Sequence, residues 1–240
     1  MARSLADRLG VFVIAIEYSL APEHPFPDAL EDCYSVLAFM NDGEADWLNG
    51  QGQFSHLPPI ALSFTFIGGV SAGANLAIQS KLLWLSRGEG QAKFEGVSDH
   101  HSHPLVSRMR FAGEILLSPD LMRSPDTEQY MVAEYILVGS TNTVLRQMYL
   151  ANQTLSHPLV SLVNNPQLVG RALLRPLFFS VRPGLFHQCI QTFHDNLNQA
   201  GFLSSLTTLH SLPHSDYMIR EKSRLTFLKA AKDHLETILE

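Results

Sequence analysis

The sequence predicts an α/β fold, a mostly parallel sheet with helices on both of its faces. Three observations carry this reading. Apolar runs of strand length alternate with longer segments whose apolar residues recur at helical spacing. The strand candidates are apolar on both faces, as parallel strands are when helices cover both sides. A Gly-rich turn, Gly69-Val-Ser-Ala-Gly73, lies between one strand candidate and one helix candidate.

Taken in order, Leu5 and Leu9 with Arg3, Asp7 and Arg8 suit one amphipathic helix ended by Gly10. Val11 to Tyr18 is an apolar, β-branched run and reads as the first strand. In Ala21-Pro-Glu-His-Pro-Phe-Pro27 three prolines exclude both helix and central strand, which leaves a rigid loop. Asp28 to Met40 repeats Leu30, Cys33, Tyr34 and Leu37 at helical spacing. After a polar loop around residues 41–56, Ile60 to Ile67 reads as a strand and Asn75 to Leu85 as a helix. Phe111 to Leu117 and Pro176 to Val181 are further strands. Leu185 to Ala200 is a helix ending at Gly201, Leu203 to Leu212 a strand, and Arg220 to Leu239 a last helix. Two segments break the alternation: residues 86–109 are polar, and residues 122–157 look helical without a strand.

Composition narrows the function classes. The 240 residues fit one α/β domain, and 45% hydrophobic with 17% charged residues excludes a disordered or collagen-like chain. A formal charge of −6 offers no basic field for nucleic acid. Cys33 and Cys189 cannot build a disulfide framework, so a reducing compartment is the simpler setting. The longest apolar run, Val11 to Ile16, is far short of the ~20 residues that span a bilayer. Charges stand at the N-terminus where a signal peptide would be apolar. A cytoplasmic, globular protein is the expectation.

Gly69-Val70-Ser71-Ala72-Gly73 matches G-x-S-x-G in its strand–turn–helix context. A turn this tight puts the serine in a strained conformation, and its flanks need small residues to avoid clashes. The strain presents the Ser71 hydroxyl at the end of the sheet, within reach of a histidine. The Ala72 amide then points at a developing oxyanion, in the favourable field of a helix N-terminus. The alternative is a Gly-rich turn that only packs closely.

Ile16-Glu-Tyr-Ser-Leu-Ala-Pro-Glu-His-Pro-Phe-Pro27, Ala29-Leu-Glu-Asp-Cys-Tyr34 and Gly69-Val-Ser-Ala-Gly-Ala-Asn75 resemble the hormone-sensitive-lipase-like branch of the α/β hydrolases. Weaker echoes follow at Leu116-Leu-Ser-Pro119, His157-Pro-Leu-Val-Ser161, Ala200-Gly201 and Pro213-His214, so the resemblance covers nearly the whole chain. It implies an α/β-hydrolase fold and serine esterase or lipase chemistry on carboxylic esters, with no metal and no organic cofactor. It also implies Ser71 as nucleophile, His214 as base and the Ala72 amide in the oxyanion hole. The order of the chain agrees, since hydrolases of this fold run Ser, then acid, then His. His100, His101, His103, His157, His187, His194 and His210 compete on composition; position after the last strand selects His214, with His210 as the fallback.

The chain departs from the family at three places. The resemblance implies an upstream His-Gly-Gly-type loop and earlier strands, which this chain lacks, so it reads as N-terminally incomplete. In the family one of those strands lies between the strands at Val11 and Ile60, and without it buried edges are exposed or those two pair anew. The acid, expected near Pro183-Gly184, is missing: Ser180-Val-Arg-Pro-Gly-Leu-Phe-His187 holds no carboxylate. In serine proteases such a loss costs about 10⁴ in turnover. Asp195 and Asp216 are unconvincing replacements. Third, Val70 stands where the family has an acidic residue and Ala74 where it has glycine.

Other clusters carry less. Asp99-His-His-Ser-His103 has metal-ligand residue types, but in a polar insertion without a second anchoring cluster it reads as a solvated loop, and no metal is assigned. Glu31 and Asp32, adjacent on a helix, face different directions. Glu23 and His24 read as ties of the proline loop. Leu121, Met122, Met131, Tyr135, Ile136, Leu137, Leu145, Met148 and Tyr149 fall where the family keeps a lid over an acyl pocket, and suit an apolar acyl or aryl ester; ordinary helix packing explains each equally well. The expectation is thus a single domain over 1–240 with a lid-like insertion at 122–157, acting on a small-molecule ester. The alternative is a catalytically impaired relative that binds a ligand or a partner.

Overall fold

A computed structural model of the chain describes residues 1–42, 60–88, 94, 97, 108–121, 144–151, 153–154, 157–182, 186–210 and 220–239. Helix α1, Ala2–Leu9, stops at Gly10 as the sequence predicts, and the φ of 65° there makes a left-handed cap. Helix α2, Asp28–Asn41, buries Leu30, Cys33, Tyr34 and Leu37 along one face. Strand β1, Thr65–Val70, leads through Ser71 into helix α3, Ala72–Gly88. Strand β2 is Phe111–Leu117, as predicted to the residue. Helix α4 covers 144–150, and a short 3-10 turn, Leu162–Asn164, precedes helix α5, Pro166–Ala172. Strand β3, Pro176–Arg182, helix α6, His187–Gln199, strand β4, Ser205–His210, and helix α7, Glu221–Leu239, complete the order.

The four strands form one parallel sheet in the order β1-β2-β3-β4. Side chains alternate across it, so consecutive residues enter different cores. Leu116 and Phe178 point into the larger core with Tyr34, Ile78, Ile190 and Phe193. Leu117, Leu177, Phe179 and Val181 point the other way, against Phe227, Leu228 and Ala231 of α7 and Leu5 and Leu9 of α1. Both faces of the sheet are covered, which is why β3 is buried along its length except at Arg182.

Several expectations need correction. Val11 to Tyr18 forms no strand: it is irregular, and Phe12 and Ile14 are each 44% exposed. A strand exists only by hydrogen-bonding to a neighbour, and no described residue offers this run a ladder. The new pairing with the following strand is therefore not made, and β1 has β2 as its one strand partner among the described residues. The strand predicted at Ile60 to Ile67 begins instead at Thr65. Residues 60–64 are taken up by turns, with the Phe64 amide donating to the Ala61 carbonyl and the Thr65 hydroxyl to that of Leu62. Helix α3 starts three residues before its predicted Asn75, because the turn at Ser71 passes into it directly. Helix α5 was not predicted, since seven residues give too short a periodic signal. Of the lid-like insertion, residues 122–143 lie outside the described residues.

Candidate active site

Ser71 stands where β1 ends and α3 begins, with φ at 54°. For a non-glycine residue this left-handed conformation costs on the order of 1–3 kcal/mol and persists only where the surroundings over-determine it. The surroundings do so here. The Ser71 amide donates to the Leu117 carbonyl on the neighbouring strand (2.8 Å), and the Ser71 carbonyl accepts from the amides of Ala74 (3.1 Å), Asn75 (3.1 Å) and Asp120 (3.3 Å).

The turn is closed by glycine. A Cβ at Gly69 would fall 2.2 Å from the Gly73 carbonyl oxygen and 2.6 Å from the Ala74 nitrogen, closer than any side chain tolerates. The two ends of Gly69-Val-Ser-Ala-Gly73 thus touch backbone to backbone. At Gly73 itself a Cβ would meet nothing within 4 Å, so the need for smallness that the sequence suggests on both flanks falls on Gly69 alone. Ala74 is fully buried and its methyl is accommodated; Val70 packs on the α7 side of the sheet. Ala72, exposed, is the first residue of α3, and the first amides of a helix have no intrahelical acceptor. The amides of Ala74 and Asn75 are taken by the Ser71 carbonyl, so the Ala72 amide and the helix field are what an anion beside Ser71 would meet.

Register places further hydroxyls beside Ser71. Val70 pairs with Leu117, Leu117 with Phe179 and Phe179 with Thr207. The residues that follow, Ser71, Ser118, Ser180 and Thr208, therefore form a row at the carboxyl end of the sheet. Ser118 has the second strained backbone of this row, φ 42°, and its buried hydroxyl has no hydrogen-bond partner among the described residues. Ser180 lies 2.9 Å from His187 Nδ1 and 3.3 Å from the Thr208 hydroxyl. Burial, and after it the charges of Arg182 and His210, hold the His187 imidazole below its ordinary pKa.

The expected base, His214, the expected acid position at Gly184, Asp216 and the Asp99–His103 cluster all lie outside the described residues. The fallback, His210, ends β4 at the same edge of the sheet, exposed and in register with Arg182. Among the competing histidines, His157 is a core residue: it is buried, its ring packs edge-on against Phe26 (5.2 Å), and Nδ1 accepts from the Leu159 amide. His194 is bonded to the Ser204 hydroxyl (2.7 Å). Asp195 is exposed on α6. His24 meets Asp28 at 3.2 Å, so it ties the proline loop to the start of α2 as expected.

Among the described residues, the fold brings the carboxylate of Asp120 to the Ser71 turn, a residue that the sequence pattern did not single out. It follows Leu116-Leu-Ser-Pro119 directly, and that block was the available signal. Asp120 is buried, and Arg146 of α4 binds both of its oxygens, Nη2 at 2.5 Å and Nε at 3.2 Å. A carboxylate engaged in this bidentate way is committed to its guanidinium and is a poor partner for an imidazole.

A family model described as alpha/beta hydrolase fold matches residues 1–217. The Tuliposide B-converting enzyme 1 of Tulipa gesneriana is 37% identical over 78 residues, covering 30% of this chain and 16% of the tulip protein. An Arabidopsis thaliana protein named "Probable carboxylesterase 3" is 36% identical over 64 residues, covering 27% of this chain and 18% of its own length. The matched stretch thus spans less than a fifth of either curated relative. Among solved structures, an esterase of Pyrobaculum calidifontis superposes with a TM-score of 0.67 over all of this chain and 70% of its own, at 19% identity. That likeness is one of fold.

Proposed function

The chain belongs to the α/β-hydrolase-fold family, and on that premise we propose that it hydrolyses carboxylic esters through an acyl-enzyme on Ser71. The observation that carries the reading is the left-handed Ser71, held between β1 and α3 by the contact of Gly69 with the Gly73 backbone. This geometry supports reading the turn as a nucleophile elbow. The Ser71 oxygen attacks the acyl carbon while the His214 imidazole takes its proton. The Ala72 amide donates to the oxyanion. The protonated imidazole then returns the proton to the leaving alkoxide, and water, activated by the same base, releases the acid and regenerates Ser71.

The substrate is a small-molecule ester with an apolar acyl or aryl group, and no cofactor is required. Buried Leu121, with Leu145 and Met148 exposed on α4, supports an apolar pocket under a lid within residues 122–157 of a single hydrolase domain. Cys33 and Cys189 are buried and not joined in a disulfide, which supports a reducing, cytoplasmic setting. Among the described residues no helix is long and apolar enough to cross a membrane.

A second reading has one observation behind it. From Pro176 to His194 the sequence holds no Asp or Glu, so the segment after β3 supplies no acid. A protein with this fold and a crippled triad would bind a ligand or a partner without turnover. One experiment separates the two. The 240-residue chain is treated with a fluorophosphonate probe and assayed on p-nitrophenyl acetate, as wild type, Ser71→Ala and Gly184→Asp. The hydrolase reading expects labelling and slow turnover in the wild type, loss of both in Ser71→Ala, and faster turnover in Gly184→Asp. Equal labelling of Ser71→Ala removes Ser71 from the mechanism, and an inert wild type favours the binding protein.

A further inference from the structure

We propose that Asp120 and Arg146 are positioning residues for Ser71: their ion pair clamps the turn after β2 onto the serine turn and couples α4 to the nucleophile. The inference rests on the reading of Ser71 as nucleophile. Asp120 is anchored at three points. Its amide donates to the Ser71 carbonyl at 3.3 Å, its carbonyl accepts from the Asn75 side chain at 2.5 Å, and its carboxylate accepts from Arg146. Asn75 is itself held, since its amide donates to the Ser71 carbonyl. Ser71, Asn75 and Asp120 therefore close a ring of hydrogen bonds around the strained serine, and the Arg146 guanidinium fixes that ring from outside.

The pair is well placed to act at a distance. The two side chains are 14% and 10% exposed, so the attraction is weakly screened and the bidentate geometry is directional. Arg146 cannot drift, because α4 is locked three residues later. There the Tyr149 carbonyl accepts from the Phe26 amide (2.6 Å), the Tyr149 hydroxyl bonds Gln79 of α3 (3.3 Å), and its ring packs edge-on against Phe26. Helix α4 lies within residues 122–157, and the clamp links its position to the backbone of Ser71. A left-handed serine needs such support: releasing one of its three carbonyl contacts lets φ relax and withdraws the hydroxyl from its attacking position.

The test uses the full chain as wild type, Arg146→Ala, Arg146→Lys and Asp120→Asn, held below their melting temperatures. Two readouts are taken, the second-order rate of fluorophosphonate labelling and the amide hydrogen exchange of peptides spanning residues 69–76. For Arg146→Ala, labelling should slow at least about tenfold, because small misplacements of a reacting group are costly. Low-millimolar guanidinium should restore part of that rate, and Arg146→Lys should fall between the two. Exchange in residues 69–76 should quicken at least about tenfold while that of α7 is unchanged, as for a local opening. An unchanged exchange rate in 69–76 overturns the clamp. Faster exchange with unchanged labelling overturns its role in positioning the nucleophile. If the wild type is not labelled, or Ser71→Ala labels equally, the hydrolase reading fails, and exchange alone decides whether the two turns are coupled.

Discussion

At the scale of single residues, the serine turn depends on one glycine more than on the other. Gly69→Ala drives a methyl into the Gly73 backbone, where no side chain can yield. The expected cost is about 1–3 kcal/mol or more, read from the urea midpoint, with loss of Ser71 labelling. Gly73→Ala meets open space inside a helix, and alanine favours helix by up to about 1 kcal/mol, so its midpoint should stay or rise. Equal effects would show that the turn is not closed by this contact. His187 supplies a pH dependence with a definite sign. Burial lowers its folded-state pKa below 6.5, so between the two values the unfolded chain binds the extra proton. Stability therefore falls as pH drops below 6.5 toward the folded pKa, and His187→Gln should flatten part of that slope in urea titrations. His234, shifted the same way chiefly by burial, accounts for some of the remainder. A variant with an unchanged slope would place the His187 shift elsewhere.

At the scale of elements, α3 is tied to β2 by an ion pair rather than by apolar contact alone. Lys81 and Glu114 are both buried and directly bonded, and Glu114 also accepts from the Leu174 amide at 3.1 Å. Burial pushes the Lys81 ammonium below its ordinary pKa, while Glu114 pulls it back. Breaking such a pair on one side leaves a buried charge without its counter-ion. Lys81→Met should therefore destabilise the chain by about 3–5 kcal/mol in denaturant. Adding Glu114→Gln, which removes the charge yet still offers an oxygen to Leu174, should recover most of the loss. A double variant as unstable as the single one would mean that Lys81 matters for packing and not for charge. This pair lies in mid-strand, with Glu114 in register with Pro176 at the start of β3, so it holds the layers of the fold and not the serine edge.

At the scale of the whole molecule, β1 and β4 each have one strand partner among the described residues. The irregular run from Val11 shows Phe12 and Ile14 to solvent, and Leu20 is exposed as well. Apolar side chains shown to solvent favour association with another copy. The 240-residue chain should accordingly sediment with a concentration-dependent average mass, and Phe12→Lys with Ile14→Lys should lower it. A monomer at every concentration would show that these exposed side chains do not drive association.

The sequence by itself determined the elements whose signals are local. Gly10 ends α1, β2 runs from Phe111 to Leu117, and Gly69 with Ser71 makes a strained turn, because each depends on backbone sterics or on an apolar run within a few positions. It also held the strands that are apolar on both faces, since burial in a covered sheet is written into β3 from Pro176 to Val181. Only the tertiary structure decided the fate of Val11 to Tyr18. That run has strand composition, but a strand needs a neighbour's carbonyls and amides, and composition cannot provide them. The pairing of Lys81 with Glu114 and the seating of Asp120 against Ser71 were likewise invisible, because partners 33 and 49 positions apart leave no periodic trace. Local geometry placed the serine; contacts between distant segments decided what holds it there.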